Sequence, residues 1–94
     1  MTDTPAVTHN PERQRYSLMI DGVEAYLTYK RPKDGHVKIT HTIVPKAIGG
    51  RGLGKHLVAR IMADIIAADE TVSSSCWYAT AKIDDNPDWA ARLK

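Results

Sequence analysis

The segment from Val44 to His56 constrains this chain more than any other. Four of the six glycines in the chain lie between positions 49 and 54. A β-branched run that ends at Val44 precedes them, and an amphipathic helical pattern from Leu57 to Ala68 follows. A glycine loop between a strand and a helix leaves backbone N–H groups unpaired at the positive end of a helix dipole. The segment therefore predicts an anion site, above all for phosphate, and a flexible turn is the alternative.

Two common phosphate-binding loops do not fit this segment. Gly49 to Lys55 has the spacing of a Walker A loop, but His56 stands where that loop needs a hydroxyl for magnesium. The dinucleotide fingerprint fails because Lys55 or Leu57 stands where its last glycine is required. A nucleotide hydrolase and a Rossmann dehydrogenase are therefore both disfavoured.

Composition narrows the class of protein further. Ninety-four residues, 43% of them hydrophobic, are typical of one small globular domain, and a net charge of +2 is too mild to indicate a nucleic-acid partner. The single cysteine suits a reducing, cytoplasmic location, and no apolar run approaches the length of a membrane span. The four histidines have no metal-ligand spacing, so we expect no metal site.

The first half of the chain predicts a three-stranded antiparallel meander. Residues 1–14 are polar and aperiodic and predict a flexible tail, so the domain is expected to span 15–94. The Asp21-Gly22 pair indicates a tight hairpin between the first two strands. The third strand runs from His36 to Val44. Simple alternation places four of its residues on one apolar face: Val37, Ile39, His41 and Ile43.

The second half predicts a parallel crossover followed by short helices. After the amphipathic helix, Thr71 to Tyr78 is expected to form a strand parallel to the third one. Tyr78 to Ile83 is expected to form a short helix, and Asn86 to cap a final helical turn. The predicted fold class is thus mixed α/β (α+β), with a mainly antiparallel sheet, one parallel β-α-β crossover and short C-terminal helices.

The same residues resemble a known family. Gly52 and Gly54 match the last two anchors of the acyl-CoA loop of the GNAT acetyltransferases, while Gly49 stands where that loop usually has Arg or Gln. Together with three further motifs, this order resembles the small single-domain, YjdJ-type branch of the GNAT superfamily, except that Trp77 stands where a small residue or Pro is expected. The three motifs are His41-Thr42, Ser75-Cys76-x-Tyr78 and Asn86-Pro87-x-Trp89.

The resemblance implies an N-acetyltransferase that uses acetyl-CoA as its co-substrate. The pantetheine arm would enter between two splayed parallel strands and pair with the backbone of Ile43 and Val44. The short Asp21-Gly22 turn leaves no room for the extra helices of longer relatives, so the acceptor side is expected to be open and to suit a large or macromolecular amine. We expect a monomer or weak dimer. The pyrophosphate would lie on the loop backbone: Gly50, Arg51, Gly52, Leu53, Gly54 and Lys55.

Three side chains are candidates for the chemistry. Cys76, which precedes a short helix, either lines the pocket or carries the acetyl group covalently. His41 would act as a base or as the partner of a Cys76 thiolate. Tyr78, on the same face as Cys76 if strand alternation holds, would protonate the leaving sulfur. Each of the three has a packing role as its alternative.

Two other functions compete with the enzyme. A non-catalytic acyl-CoA binding module would share the loop but would not need Cys76 or His41. A nucleic-acid or protein interaction domain would use Arg51 and Lys55 as a cationic patch, and its nucleic-acid binding would be strongly salt-dependent.

Overall fold

A computed structural model describes residues 6–94 and shows one five-stranded sheet with helices packed on it. The strands follow chain order across the sheet, and every neighbouring pair is antiparallel except the last, which is parallel. The predicted fold class is confirmed. The elements are β1 (Thr8–Asn10), β2 (Arg15–Ile20), β3 (Val23–Lys33), β4 (His36–Ile43), a 3₁₀ turn (Lys46–Ile48), α1 (Leu53–Ala67), β5 (Thr71–Ser74), α2 (Trp77–Asp84) and α3 (Pro87–Ala90).

The core lies between the inner face of the sheet and the apolar stripe of α1. Alternate residues of β2 and β3 are buried, as their hydrophobic pattern predicts, and the Asp21-Gly22 hairpin is formed with positive φ at both residues. The helix contributes residues at intervals of three and four positions, which cover one side of a helix. The buried helix residues are Leu53, Gly54, Leu57, Val58, Ile61, Met62 and Ile65.

The strand β1 lies inside the segment that the sequence predicted to be a flexible tail. Thr8–Asn10 pairs antiparallel with β2, and residues 1–5 of that segment lie outside the described residues. The His9 ring stacks on Tyr16 with centroids 4.1 Å apart, and its Nε2 lies 2.6 Å from the hydroxyl of Tyr29. These contacts come from residues distant in the chain, which is why the local pattern gave no sign of a strand.

A bulge in β4 changes which side chains of this strand face the core beyond Ile39. Thr28 of β3 pairs with His41, but the next residue, Tyr29, pairs with Ile39, so Thr40 is an extra residue. The alternation of β4 therefore reverses after Ile39. The prediction that His41 and Ile43 share the apolar face is wrong: both are exposed, and Ile43 keeps 40% of its accessible surface.

The strands β4 and β5 pair over only half the length of β4. The ladder runs from His36–Thr71 to Ile39–Ser74, and the Ser75 N–H donates a last bond of 3.0 Å to the Ile39 carbonyl. At the opposite end of the ladder, the His36 ring bonds the hydroxyls of Thr71 and Ser73 at 2.7 and 2.9 Å. Beyond Ile39 the ladder between the two strands stops. The glycine loop and the start of α2 follow at this end of the sheet.

Candidate functional site

Two cavities lie at the end of the sheet where β4 and β5 part. We call the first, of about 340 Å³, the loop cavity, and the second, of about 430 Å³, the outer cavity. Thr42, Cys76 and Trp77 line both of them. The remaining walls of the loop cavity are Val44, Gly49, Gly50, Gly52, Leu53, Gly54 and Tyr78, and those of the outer cavity are Thr40, His41, Ile43 and Ser75.

The glycine loop presents bare backbone to the loop cavity. Gly50 and Gly52 have φ of +77° and +71°, and no atom lies within 4 Å of where a Cβ would stand on either. Gly52 is the N-cap of α1 and makes no side-chain capping bond. The first helical bond joins the His56 N–H to the Gly52 carbonyl at 3.2 Å, so the preceding N–H groups of the first turn have no intrahelical acceptor. The loop is thus open to an anion at the positive end of the helix.

The other two glycines of the loop have different reasons to be there. Gly49 has ordinary extended backbone, with φ −70° and ψ 167°, which any residue adopts. Gly54 lies in the first turn of α1, and a Cβ there would stand 2.9 Å from the ring and the hydroxyl oxygen of Tyr78. Gly54 therefore allows Tyr78 to approach the start of the helix, a reason that the loop motif did not reveal.

The two cationic side chains of the loop make only weak contacts. Arg51 is half-exposed and lies 3.8 Å from the exposed carboxylate of Asp21. Lys55 is exposed and lines a separate hollow with residues of α2 and α3. Ion pairs between exposed groups contribute little, so neither side chain is fixed in place by its contacts.

Cys76 is held by the turn that joins β5 to α2. Its carbonyl accepts hydrogen bonds from the Thr80 N–H and hydroxyl, both at 3.0 Å, and its N–H donates to the Ser74 hydroxyl at 3.1 Å. The half-buried thiol lies 3.7 Å from the hydroxyl oxygen of Thr42. Sequence reasoning missed Thr42 as a cavity residue because simple alternation turns it away from Cys76, whereas the bulge turns it inward.

Tyr78 reaches the loop cavity by a different route from the predicted one. The prediction of a strand through Tyr78 is wrong, because β5 ends at Ser74 and α2 begins at Trp77. Helical geometry, not strand alternation, brings Tyr78 into the same cavity as Cys76. Burial, and then the nearby Cys76 thiol, raise the pKa of Tyr78 above its usual value, so this phenol keeps its proton at neutral pH.

His41 lies on the outer side of the strand, in the outer cavity. Its Nδ1 is 3.5 Å from the Thr28 hydroxyl, while the Thr40 hydroxyl bonds that same oxygen at 2.7 Å. The Cys76 thiol has Thr42 as its neighbour on the opposite face of the strand. The structure therefore gives His41 and the Cys76 thiol different partners, although both line the outer cavity.

Within residues 6–94, no group of three or more metal-ligating side chains comes together, and no helix is long and apolar enough to span a membrane.

Comparison with known proteins identifies relatives of the chain. The family model of the GCN5-related N-acetyl-transferase matches residues 15–93. Protein NATD1 of Xenopus tropicalis is 32% identical over 83 residues, which cover 86% of this chain and 76% of that protein, and human Protein NATD1 is 30% identical over a similar span. The solution structure of a GCN5-like protein from Staphylococcus aureus has a TM-score of 0.76 at 18% identity and covers 99% of this chain and 91% of that one.

Proposed function

The chain belongs to the GCN5-related N-acetyltransferase family, and we propose that it transfers the acetyl group of acetyl-CoA to an amine where its two cavities adjoin. The observation that carries the proposal is the wall that the two cavities share. Thr42, Cys76 and Trp77 line both cavities, and the anion-binding loop lines only one of them. The donor enters by the loop cavity and the acceptor by the outer cavity.

The donor lies along the glycine loop in this proposal. Its pyrophosphate accepts hydrogen bonds from the N–H groups between Gly50 and Lys55, which the bare cradle at Gly50 and Gly52 supports. Arg51 and Lys55 add only screened positive charge. The pantetheine arm pairs with the backbone near Ile43 and Val44, where β4 has lost its ladder to β5.

The chemistry needs an acid on the donor side and a base on the acceptor side. The amine nitrogen attacks the thioester carbonyl carbon, the C–S bond breaks, and the departing sulfur takes a proton from the Tyr78 hydroxyl. The proton that the amine loses passes to His41. The position of Tyr78 in the loop cavity beside Cys76 supports the first role, and the position of His41 in the outer cavity supports the second.

We favour direct attack over a covalent acetyl-Cys76 intermediate. Cys76 has a threonine hydroxyl as its neighbour, and His41 lies toward the opposite face of β4. A nucleophilic thiol is usually activated by an adjacent base or cation. Mass spectrometry after incubation with acetyl-CoA and no acceptor decides between the two routes, because a covalent route adds one acetyl group at Cys76.

The remaining parts of the proposal concern the setting of the enzyme. The short Asp21-Gly22 hairpin supports an open acceptor side that admits a large or macromolecular amine. We propose a cytoplasmic location because the unpaired Cys76 thiol suits a reducing compartment. We also propose that the protein is a monomer or weak dimer. Membership of the YjdJ-type branch is supported by the Cys76-x-Tyr78 and Asn86-Pro87-x-Trp89 motifs.

A calorimetric titration with acetyl-CoA, and with CoA as the comparison ligand, tests the donor site. Gly50→Ala and Gly35→Ala form a matched pair, because both glycines have φ +77° with open space around the missing Cβ. Each variant is expected to lose about 1–2 kcal/mol of folding stability, since alanine is strained in the left-handed region. Only Gly50→Ala is expected to weaken acetyl-CoA binding, by about tenfold or more.

Two outcomes contradict the proposal. The absence of saturable acetyl-CoA binding by folded protein excludes the donor site. A non-catalytic acyl-CoA binding module is favoured instead if the protein binds acetyl-CoA saturably but acetylates no amine, and if Cys76→Ala and His41→Ala bind acetyl-CoA as the parent does.

A further inference from the structure

The outer cavity has an unusual wall, formed by the most exposed large hydrophobic side chain of the described residues. Trp77 keeps 81% of its accessible surface, compared with 59% for Met19 and 40% for Ile43. A single exposed apolar residue is common on protein surfaces. Trp77, however, lines both cavities, so its exposed surface faces the proposed route of the acceptor.

The backbone that carries the Trp77 indole is held by hydrogen bonds at the start of α2. Trp77 is the first residue of α2, and the preceding Cys76 is fixed by hydrogen bonds from Thr80 and to Ser74. Its ring meets Tyr78 edge-on with centroids 6.1 Å apart. The ring thus has one aromatic neighbour while most of its surface stays open to a ligand, and an exposed aromatic face stacks well on another flat group.

The other walls of the outer cavity are nearly all uncharged. They consist of three hydroxyls, one thiol, one isoleucine and the imidazole of His41. These walls offer no carboxylate to pair with a strongly basic amine, which is an ammonium ion at neutral pH. An α-amine with a pKa of about 7.7 is roughly one-sixth neutral at pH 7, whereas a lysine amine with a pKa of about 10.4 is neutral in about one molecule in 2,500.

We propose that the outer cavity accepts a weakly basic amine carried on a flat apolar group, and that Trp77 determines specificity by stacking on that group. The inference rests on the proposed acetyltransferase function and adds the chemical class of the acceptor. Small aromatic amines and α-amines next to an aromatic side chain share this chemistry.

Three amides and one aniline test separately whether the acceptor needs a flat apolar group and whether it needs a weakly basic amine. Phenylalanine amide and alanine amide differ by the ring, alanine amide and Nα-acetyl-lysine amide differ chiefly in amine basicity, and 4-methylaniline represents the small aromatic source. Release of CoA is followed for each acceptor at pH 7. We expect kcat/KM for phenylalanine amide to exceed that for alanine amide by about 2- to 10-fold, and the lysine derivative to be the poorest of the three amides. Turnover of 4-methylaniline above that of phenylalanine amide identifies the small aromatic amine as the source, and the reverse identifies the α-amine.

Trp77→Ala tests the residue itself. Because the side chain is mostly exposed, this variant is expected to fold, and the preference for phenylalanine amide over alanine amide is expected to disappear. Trp77 also lines the loop cavity, so acetyl-CoA affinity is measured separately, and the preference is taken as the ratio of kcat/KM for the two amides at the same acetyl-CoA concentration. Trp77→Phe keeps a flat ring and is expected to retain part of the preference. Met19→Ala, which removes another exposed apolar side chain that lines neither cavity, is the control and should leave the preference unchanged.

The results distinguish the inference from the proposed function. Acetyl-CoA binding together with a preference for the lysine derivative, or a ring preference that survives Trp77→Ala, overturns the inference and leaves the acetyltransferase in place. Acetyl-CoA binding with turnover of none of the four amines also overturns it. No acetyl-CoA binding overturns both.

Discussion

The two ends of α1 differ in whether their polar groups have partners within the protein. At the start of the helix, Gly52 offers no capping side chain, and the N–H groups of the first turn face an open cavity. Twelve residues further along, about 18 Å away along the helix axis, Asp64 accepts a hydrogen bond of 2.6 Å from the Tyr16 hydroxyl and is also contacted by Arg60. One end has unused hydrogen-bonding groups, and the other has its groups paired.

We call the paired end the far cluster; its members are His9, Tyr16, Tyr29, Arg60 and Asp64. Arg60 also donates to the Val7 carbonyl at 3.0 Å, so the cluster ties the N-terminal segment to the helix. Among the described residues, every buried side-chain polar atom has a partner. The comparison teaches that changes in the far cluster should alter folding stability, and changes at the glycine-loop end should alter binding and turnover.

The largest expected effect belongs to the loop end. Tyr78→Phe removes the proposed proton donor and is expected to lower kcat by about 100-fold or more, because general acids contribute about 10²- to 10⁴-fold. Acetyl-CoA affinity and the unfolding midpoint should change little. Tyr26→Phe, which removes a phenol hydroxyl of β3 that lines neither cavity, is the control for loss of a phenol. Equal kcat in the two variants would contradict the role of Tyr78.

The next effect belongs to the far cluster. Tyr16 is 3% exposed and donates its hydroxyl to a carboxylate. Tyr16→Phe is therefore expected to lower the free energy of unfolding by about 1–3 kcal/mol, measured by urea denaturation. The acetyl-CoA dissociation constant should stay within about twofold of the parent value. A tenfold loss of affinity at unchanged stability would show that the two ends are coupled.

Alkaline pH should lower the folding stability that the far cluster contributes. Burial first, and then the hydrogen bond to Asp64, raise the pKa of Tyr16 well above its usual range. The folded state thus holds a proton that an unfolded tyrosine releases near pH 10. The stabilisation is complete below pH 10 and is lost as pH rises above it, by up to about 1.4 kcal/mol per pH unit for this group. Urea midpoints between pH 8 and 11 should fall more steeply in the parent than in Tyr16→Phe.

The smallest effect is expected on the acid side. Burial lowers the pKa of His9 below 6.5, and Arg60 and Arg31 lower it further, while the Asp64 carboxylate acts in the opposite direction. The contribution of His9 is present above pH 6.5 and is lost as pH falls through the lowered pKa. His9→Phe keeps a ring to stack on Tyr16, and its stability should decline less than that of the parent between pH 7 and pH 5. An identical decline in both would exclude His9 as the titrating group.

The far cluster also shows why its residues were missed in the sequence. His56, Arg60 and Asp64 have the spacing of an ordinary polar helix face, and only their partners reveal that Asp64 is hydrogen-bonded to a residue 48 positions away. Thr8–Asn10 is too short and too polar to indicate a strand. Both features depend on side chains contributed by other strands, so no local pattern carries them.

The sequence by itself determined the inward-facing residues of β2 and β3, the hairpin at Asp21-Gly22, the buried stripe of α1 and the place of the glycine loop between β4 and α1. Each of these depends on short-range rules: which residues tolerate positive φ, which spacing covers one face, and where a helix begins. Only the tertiary structure decided the facing of His41 and Thr42, because a one-residue bulge depends on pairing with β3 and reverses every side chain beyond it. It also decided why Gly54 is a glycine, since the ring that a Cβ would meet belongs to Tyr78, 24 positions later in the chain.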